Sequence, residues 1–86
     1  MVTNKITIQN KTGIHARPAS DLVNLCKKFP CDIKIIANGK DHDAKKIMNL
    51  LLAGLVKGTE ITVQTNGKQE SEALEQVIDF IAGLKE

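Results

Sequence analysis

"CDIKIIANGKDHDA", Cys31 to Ala44, is the stretch on which the fold turns. Residues 31–37 read as a strand, Asn38 and Gly39 form the strongest short signal for a tight hairpin, and "KDHDA" returns as a short second arm. What lies on either side of that hairpin then settles the architecture.

Upstream, residues 2–8 alternate, with Val2, Asn4, Ile6 and Ile8 on one face and Thr3, Lys5 and Thr7 on the other, a strand with one wet face. From Ala16 to about Lys28, the residues Ala19, Leu22, Val23, Cys26 and Phe29 recur at helical spacing, and Pro30 stops the helix. Downstream, "KKIMNLLLAG" reads as a helix ending at Gly54, and residues 59–65 as a fourth alternating strand. Beyond the turn at "NGK", residues 70–84 form a last helix, with Glu70 and Glu72 in its first turn and Leu74, Val77, Ile78 and Ile81 as its buried stripe.

The order is β-α-β-β-α-β-α. Thr3, Lys5, Thr7, Lys34, Thr62 and Gln64 are the outward strand residues, so one sheet face meets water and three helices cover the other. The expected fold class is α+β, an open-faced β-sandwich with a four-stranded antiparallel sheet and three helices on one face. The first two strands are joined by a helix, so they run parallel with the fourth inserted antiparallel between them. No linker, repeat or low-complexity segment divides residues 1–86, which read as a single domain of a size that folds without staples.

Composition narrows the function. Twelve Lys and Arg against ten Asp and Glu give a net charge of +2, too small to argue for a nucleic-acid partner. No apolar run approaches the ~20 residues that span a bilayer, and the first residues lack a signal-peptide core, so the chain reads as cytoplasmic with no membrane insertion. That reading sets aside "NKT" at Asn10 to Thr12 as a glycosylation acceptor. Cys26 and Cys31 have no second pair or His cluster to make a zinc site, and are expected as reduced, half-buried thiols; neither metal nor cofactor is called for.

"GIHARPAS", Gly13 to Ser20, carries the chemistry. Pro18 suits the first turn of a helix, because its missing N–H is one of those left unpaired there. His15 then stands at the helix entrance, where free backbone N–H groups and the positive dipole end receive an anion and Arg17 adds a planar fork of donors for phosphate oxygens. The dipole disfavours an imidazolium by about 0.3–1 kcal/mol and so favours the neutral, nucleophilic ring. If that ring accepts a phosphoryl group, the same N–H groups and Arg17 neutralise its added charge of about −2. Each ~1.4 kcal/mol of over-stabilisation lowers the tendency to pass the group on tenfold, so a modest cradle suits a carrier. Ser20 and Asp21 complete the residue types of a hydrolase triad, but neighbouring helical positions diverge by about 100° and no nucleophile elbow is present. His42, between Asp41 and Asp43, reads as a solvated hairpin residue.

Ile47, Met48, Leu50, Leu51, Leu52 and Leu55 surround the second helix, with Asn49 the one polar break. A domain this small cannot bury a helix on every side, so part of that surface is exposed and suits partner docking. Met48 adds the adaptability of a surface that serves several partners.

"NKTGIHARPAS", the "NGK" hairpin, "AKKIMNLLLAG" and "GTEITVQTNG", in that order over essentially the whole chain, resemble the HPr family of phosphocarriers of the bacterial phosphoenolpyruvate-dependent sugar phosphotransferase system. The resemblance implies that His15 takes a phosphoryl group on Nδ1 from phosphorylated enzyme I and gives it to sugar-specific A domains of the permeases, with Arg17 coordinating the phosphate. It implies a carrier, not a stand-alone catalyst, expected as a monomer, and a docking surface of Ala16, Arg17, Ser20, Ile47, Met48, Leu51 and Leu52. One departure matters: where many members carry a regulatory serine before the second helix, this chain has Lys46, whose amine forms no phosphoester. An RNA-binding βαββαβ module would want aromatic platforms on its strands, whereas Phe29 and Phe80 fall in helical patterns, and a soft-metal carrier would want C-x-x-C in its first loop. A paralogue serving a regulatory phosphotransfer chain, with the same chemistry and another recipient, remains the alternative.

Overall fold

A computed structural model describes residues 1–85. The elements are β1 (Val2–Thr7), α1 (Ala16–Cys26), β2 (Asp32–Ala37), β3 (Lys40–Asp43), α2 (Ile47–Leu52), β4 (Glu60–Asn66) and α3 (Glu70–Ala82). The hairpin forms as expected: Asn38 and Gly39 take φ of 53° and 77°, the left-handed pair that matches strand twist, and Ala37 faces Lys40 across it.

The sheet order is β1-β4-β2-β3, antiparallel at every pairing, so β4 lies between the parallel pair β1 and β2. Ile6 faces Ile61 and Ile35 faces Val63, so one register places all four on the helix side. Ile33, Ile35, Ile61 and Val63 meet Ala19, Leu22, Val23, Leu50, Ala73 and Val77 in one core. The other face carries Thr3, Lys5, Lys34, Thr62 and Gln64, and also Ile36, which is half-buried opposite Thr62 and breaks the expected run of polar residues.

The helices are shorter than their sequence patterns. α1 ends at Cys26, and Phe29 falls in the following turn, with its N–H on the Cys26 carbonyl, instead of on a helix. α3 ends at Ala82, and its fully buried positions are Ala73, Val77 and Ile81, while Leu74 and Ile78 flank them half-buried. Glu70 and Glu72 do lie in its first turn, and the Thr65 hydroxyl donates to the Glu70 carbonyl at 2.7 Å, joining β4 to α3.

α2 starts at Ile47, not at Lys45, because the two lysines are used differently. The Lys45 N–H donates to Asp43 Oδ1 at 2.9 Å, and its ammonium reaches back to the Phe29 carbonyl at 2.7 Å. Lys46 is the extended N-cap, with φ −124° and ψ 115° and no side-chain cap. Only Lys46 therefore stands at the α2 entrance, while the Lys45 charge sits beyond the end of α1, where carbonyls favour a cation.

Both cysteines are free and fully buried, not half-buried as their positions in the sequence suggest. Removal from water pushes the Cys26 thiol from 9.0 up to about 12, with Lys45 pulling it back and Cys31 and Asp43 pushing the same way. A thiol with a raised folded pKa holds its proton more tightly in the native state, so its contribution is complete below pH 9 and is lost as pH rises toward 12. Stability should therefore fall over that window more steeply in the parent than in Cys26→Ala, measured as the alkaline slope of the unfolding free energy.

Candidate functional site

The loop ahead of α1 is held by Asn10 and by the segment that follows α2. Buried Asn10 accepts the Gly13 N–H on its carbonyl at 3.2 Å and donates its Nδ2 to the Gly13 carbonyl at 2.7 Å. Ile14 then donates to the Leu55 carbonyl at 2.8 Å, strapping the start of α1 to the chain beyond α2. Gly13 has φ +65°, and a Cβ there would lie 2.3 Å from the Leu55 oxygen, so only glycine allows the two backbones to come this close.

His15 is the N-cap of α1, with φ −90° and ψ −166°, and its carbonyl accepts the Ala19 N–H at 2.9 Å. Its side chain makes no capping bond and is exposed, so the imidazole is presented to solvent instead of being folded back over the helix end. Pro18 is the third helical residue and has no N–H, which leaves those of Ala16 and Arg17 as donors without an intrahelical acceptor. No acidic residue lies in the first turn to offset the positive end of the dipole. Arg17 is exposed beside His15, and among the described residues no carboxylate engages its guanidinium.

Of the residues expected in docking, Ala16, Arg17, Ser20, Ile47, Met48, Leu51 and Leu52 are all exposed. Met48 is 61% and Leu52 76% exposed, whereas Leu50 is 0% and Leu55 3% exposed. The short helix thus has a definite phase, with Leu50 inward and an apolar patch outward that Val56 extends. Asn49 is half-buried, and His42 lies on β3, likewise half-buried.

Sequence reasoning missed the other side of the site. His15, Arg17, Pro18 and Asp21 form one wall of an open groove of about 710 Å³, and Phe80, Leu84 and Lys85 form the other, with Asn10 also lining it. No local pattern marks Phe80 or Lys85; only the packing of α3 brings them there. Asn10 had a signal in its place at a turn ahead of Gly13, a role that its side chain suits.

An exposed imidazole at an uncovered helix end, with a guanidinium next to it, offers a nucleophile and donors that suit an anionic group. The family described as "PTS HPr component phosphorylation site" matches residues 2–83. The chain belongs to the HPr family. The phosphocarrier protein HPr of Vibrio cholerae serotype O1 is 38% identical over 84 residues, 98% of this chain and 99% of that protein. A crystal structure of HPr-C-His from Thermoanaerobacter tengcongensis superposes with a TM-score of 0.91 at 35% identity, over 95% of this chain and 92% of that one. The phosphocarrier protein HPr from Bacillus anthracis str. Ames does so with a TM-score of 0.88 at 34% identity, covering 92% and 94%. The HPr open-faced sandwich is thus the fold of this chain, and its role is that of a phosphocarrier of the phosphotransferase system. Such a component works with partner phosphotransfer proteins. Among the described residues, no helix is long and apolar enough to cross a membrane, and no cluster of His, Cys, Asp and Glu could hold a metal ion.

Proposed function

We propose that His15 is the phosphoryl acceptor, that phosphorylated enzyme I is the donor, and that A domains of sugar permeases are the recipients. The exposed His15 imidazole at the uncapped start of α1 carries this reading. The Nδ1 lone pair of the neutral ring attacks phosphorus. The bond between phosphorus and the donor breaks as the N–P bond forms, and its electron pair leaves with the donor. The Ala16 and Arg17 N–H groups and the Arg17 guanidinium meet the incoming charge of about −2. In the second transfer the recipient nucleophile attacks the same phosphorus, and His15 is the leaving group.

The chain is a carrier, turned over once per phosphoryl group, and acts as a cytoplasmic monomer. At Lys46 it offers no hydroxyl to a serine kinase. The test is incubation with enzyme I and labelled phosphoenolpyruvate, then addition of an A domain. Label that enters this chain, is lost in acid but not in base, and moves on to the A domain supports the reading. Label that enters and is passed to no sugar-specific domain would favour a regulatory recipient.

The docking surface is the exposed face of α2 beside α1. Met48→Glu puts a charge where an interface expels water, and should weaken binding to enzyme I by roughly 10- to 100-fold while moving thermal unfolding by only a few degrees. Leu50→Ala, one turn-face away in the core, should instead cost about 2–5 kcal/mol of stability. Calorimetric titration and thermal unfolding of the two variants separate the roles. A large stability loss in Met48→Glu with unchanged affinity would place Met48 in the core.

A further inference from the structure

The groove has two charged walls, and the start of α1 forms only one of them. Arg17 stands on the α1 wall and Lys85 on the α3 wall, three residues beyond the end of the helix. We propose that Lys85 is a second cation of the phosphoryl site, one that steadies the phosphorylated form of His15 from across the groove. The proposal rests on His15 being the acceptor.

Charge balance is the first support. With a neutral imidazole, the described residues line the groove with two cations, Arg17 and Lys85, and one carboxylate, Asp21. The phosphoryl group adds about −2. Without Lys85, Asp21 offsets Arg17 and the described lining residues leave no net positive charge to meet the group. The walls are the second support. Phe80 and Leu84 are apolar and half-buried on the Lys85 side, so among the described residues Lys85 is the one charged side chain that this wall brings to the groove. The third is the exposure of Lys85 itself. A flexible, solvated ammonium adds a weak contact, and a carrier needs weak contacts if it is to release what it accepts.

Exposed pairs of opposite charge are worth little each, so removal of Lys85 should shift the phosphoryl equilibrium by about two- to fivefold. The measurement is the equilibrium constant for exchange between phosphorylated enzyme I and this chain, taken between free species so that docking affinity drops out. Lys85→Gln should move the equilibrium toward phosphorylated enzyme I by that factor in 0.1 M salt. Lys85→Glu should move it further, and Lys85→Arg should restore it. The differences should shrink at 1 M salt, where the screening length is about 3 Å, and thermal unfolding should stay the same in all four proteins. An unchanged constant for Lys85→Gln in a parent that is phosphorylated on His15 overturns the role of Lys85 alone. A loss that Lys85→Arg fails to restore, or that persists at 1 M salt, overturns it as well. A parent that takes no phosphoryl group overturns both this role and the acceptor reading.

Discussion

Gly13→Ala is expected to lose about 2–4 kcal/mol of folding stability, a drop of roughly 10–25 °C in Tm for a domain of this size. Two costs combine. An alanine at φ +65° is strained by about 1–2 kcal/mol, and its Cβ would lie 2.3 Å from the Leu55 oxygen and 2.8 Å from the Val56 Cα, so the backbones must separate. Separation stretches the 2.8 Å bond from Ile14 to Leu55, worth about 0.5–1.5 kcal/mol, and loosens the segment that places His15. Gly39→Ala is the control. Its φ is +77° but nothing lies within 4 Å, so it pays the dihedral strain alone, about 1 kcal/mol. Chemical denaturation of both variants should separate them by the cost of the clash, and equal losses would show that the strap contributes nothing. Gly13→Ala should also accept phosphoryl groups more slowly under conditions where it remains folded, while Gly39→Ala should match the parent.

The difference between what local sequence announces and what packing decides runs through this molecule. Asn38-Gly39 needs no partner to be a hairpin, because the left-handed pair is a local property, and with it came the pairing of β2 with β3. The His15 side of the site was legible for the same reason: a proline in the first turn marks a helix entrance wherever the helix packs. α2 resisted. Ile47, Met48, Leu50, Leu51 and Leu52 occupy nearly every direction around six residues, so periodicity gives no phase, and Leu50 is inward only because α2 closes over the core against α1. Lys45 next to Lys46 reads as a pair of cations at one helix end, yet the reach of a lysine stem takes one of them to Phe29, sixteen residues away. The α3 wall of the groove could not be seen at all, since Phe80 and Lys85 meet His15 only through the tertiary fold.

His15→Ala is expected to abolish phosphoryl acceptance outright, the largest functional effect of any single change. The N-cap carbonyl that bonds Ala19 belongs to the backbone and survives the substitution, and the side chain caps nothing, so the fold should persist with a change in Tm of only a few degrees. His42 is no substitute, because it lies on β3 and outside the groove that holds Arg17. Arg17→Ala keeps the nucleophile but removes the guanidinium, and should slow transfer by roughly 10-fold or more without unfolding the protein. A His15→Ala protein that still takes label from enzyme I would mean that another side chain is the acceptor.

The phosphoryl group is expected to bond to one nitrogen of one residue, and phosphorus NMR of the parent protein after reaction with enzyme I and phosphoenolpyruvate reads this directly. The expected spectrum has a single protein-bound resonance of an Nδ1-phosphohistidine, absent from His15→Ala and lost on acidification. A phosphoester resonance, an Nε2 linkage, or a signal that survives in His15→Ala would contradict it.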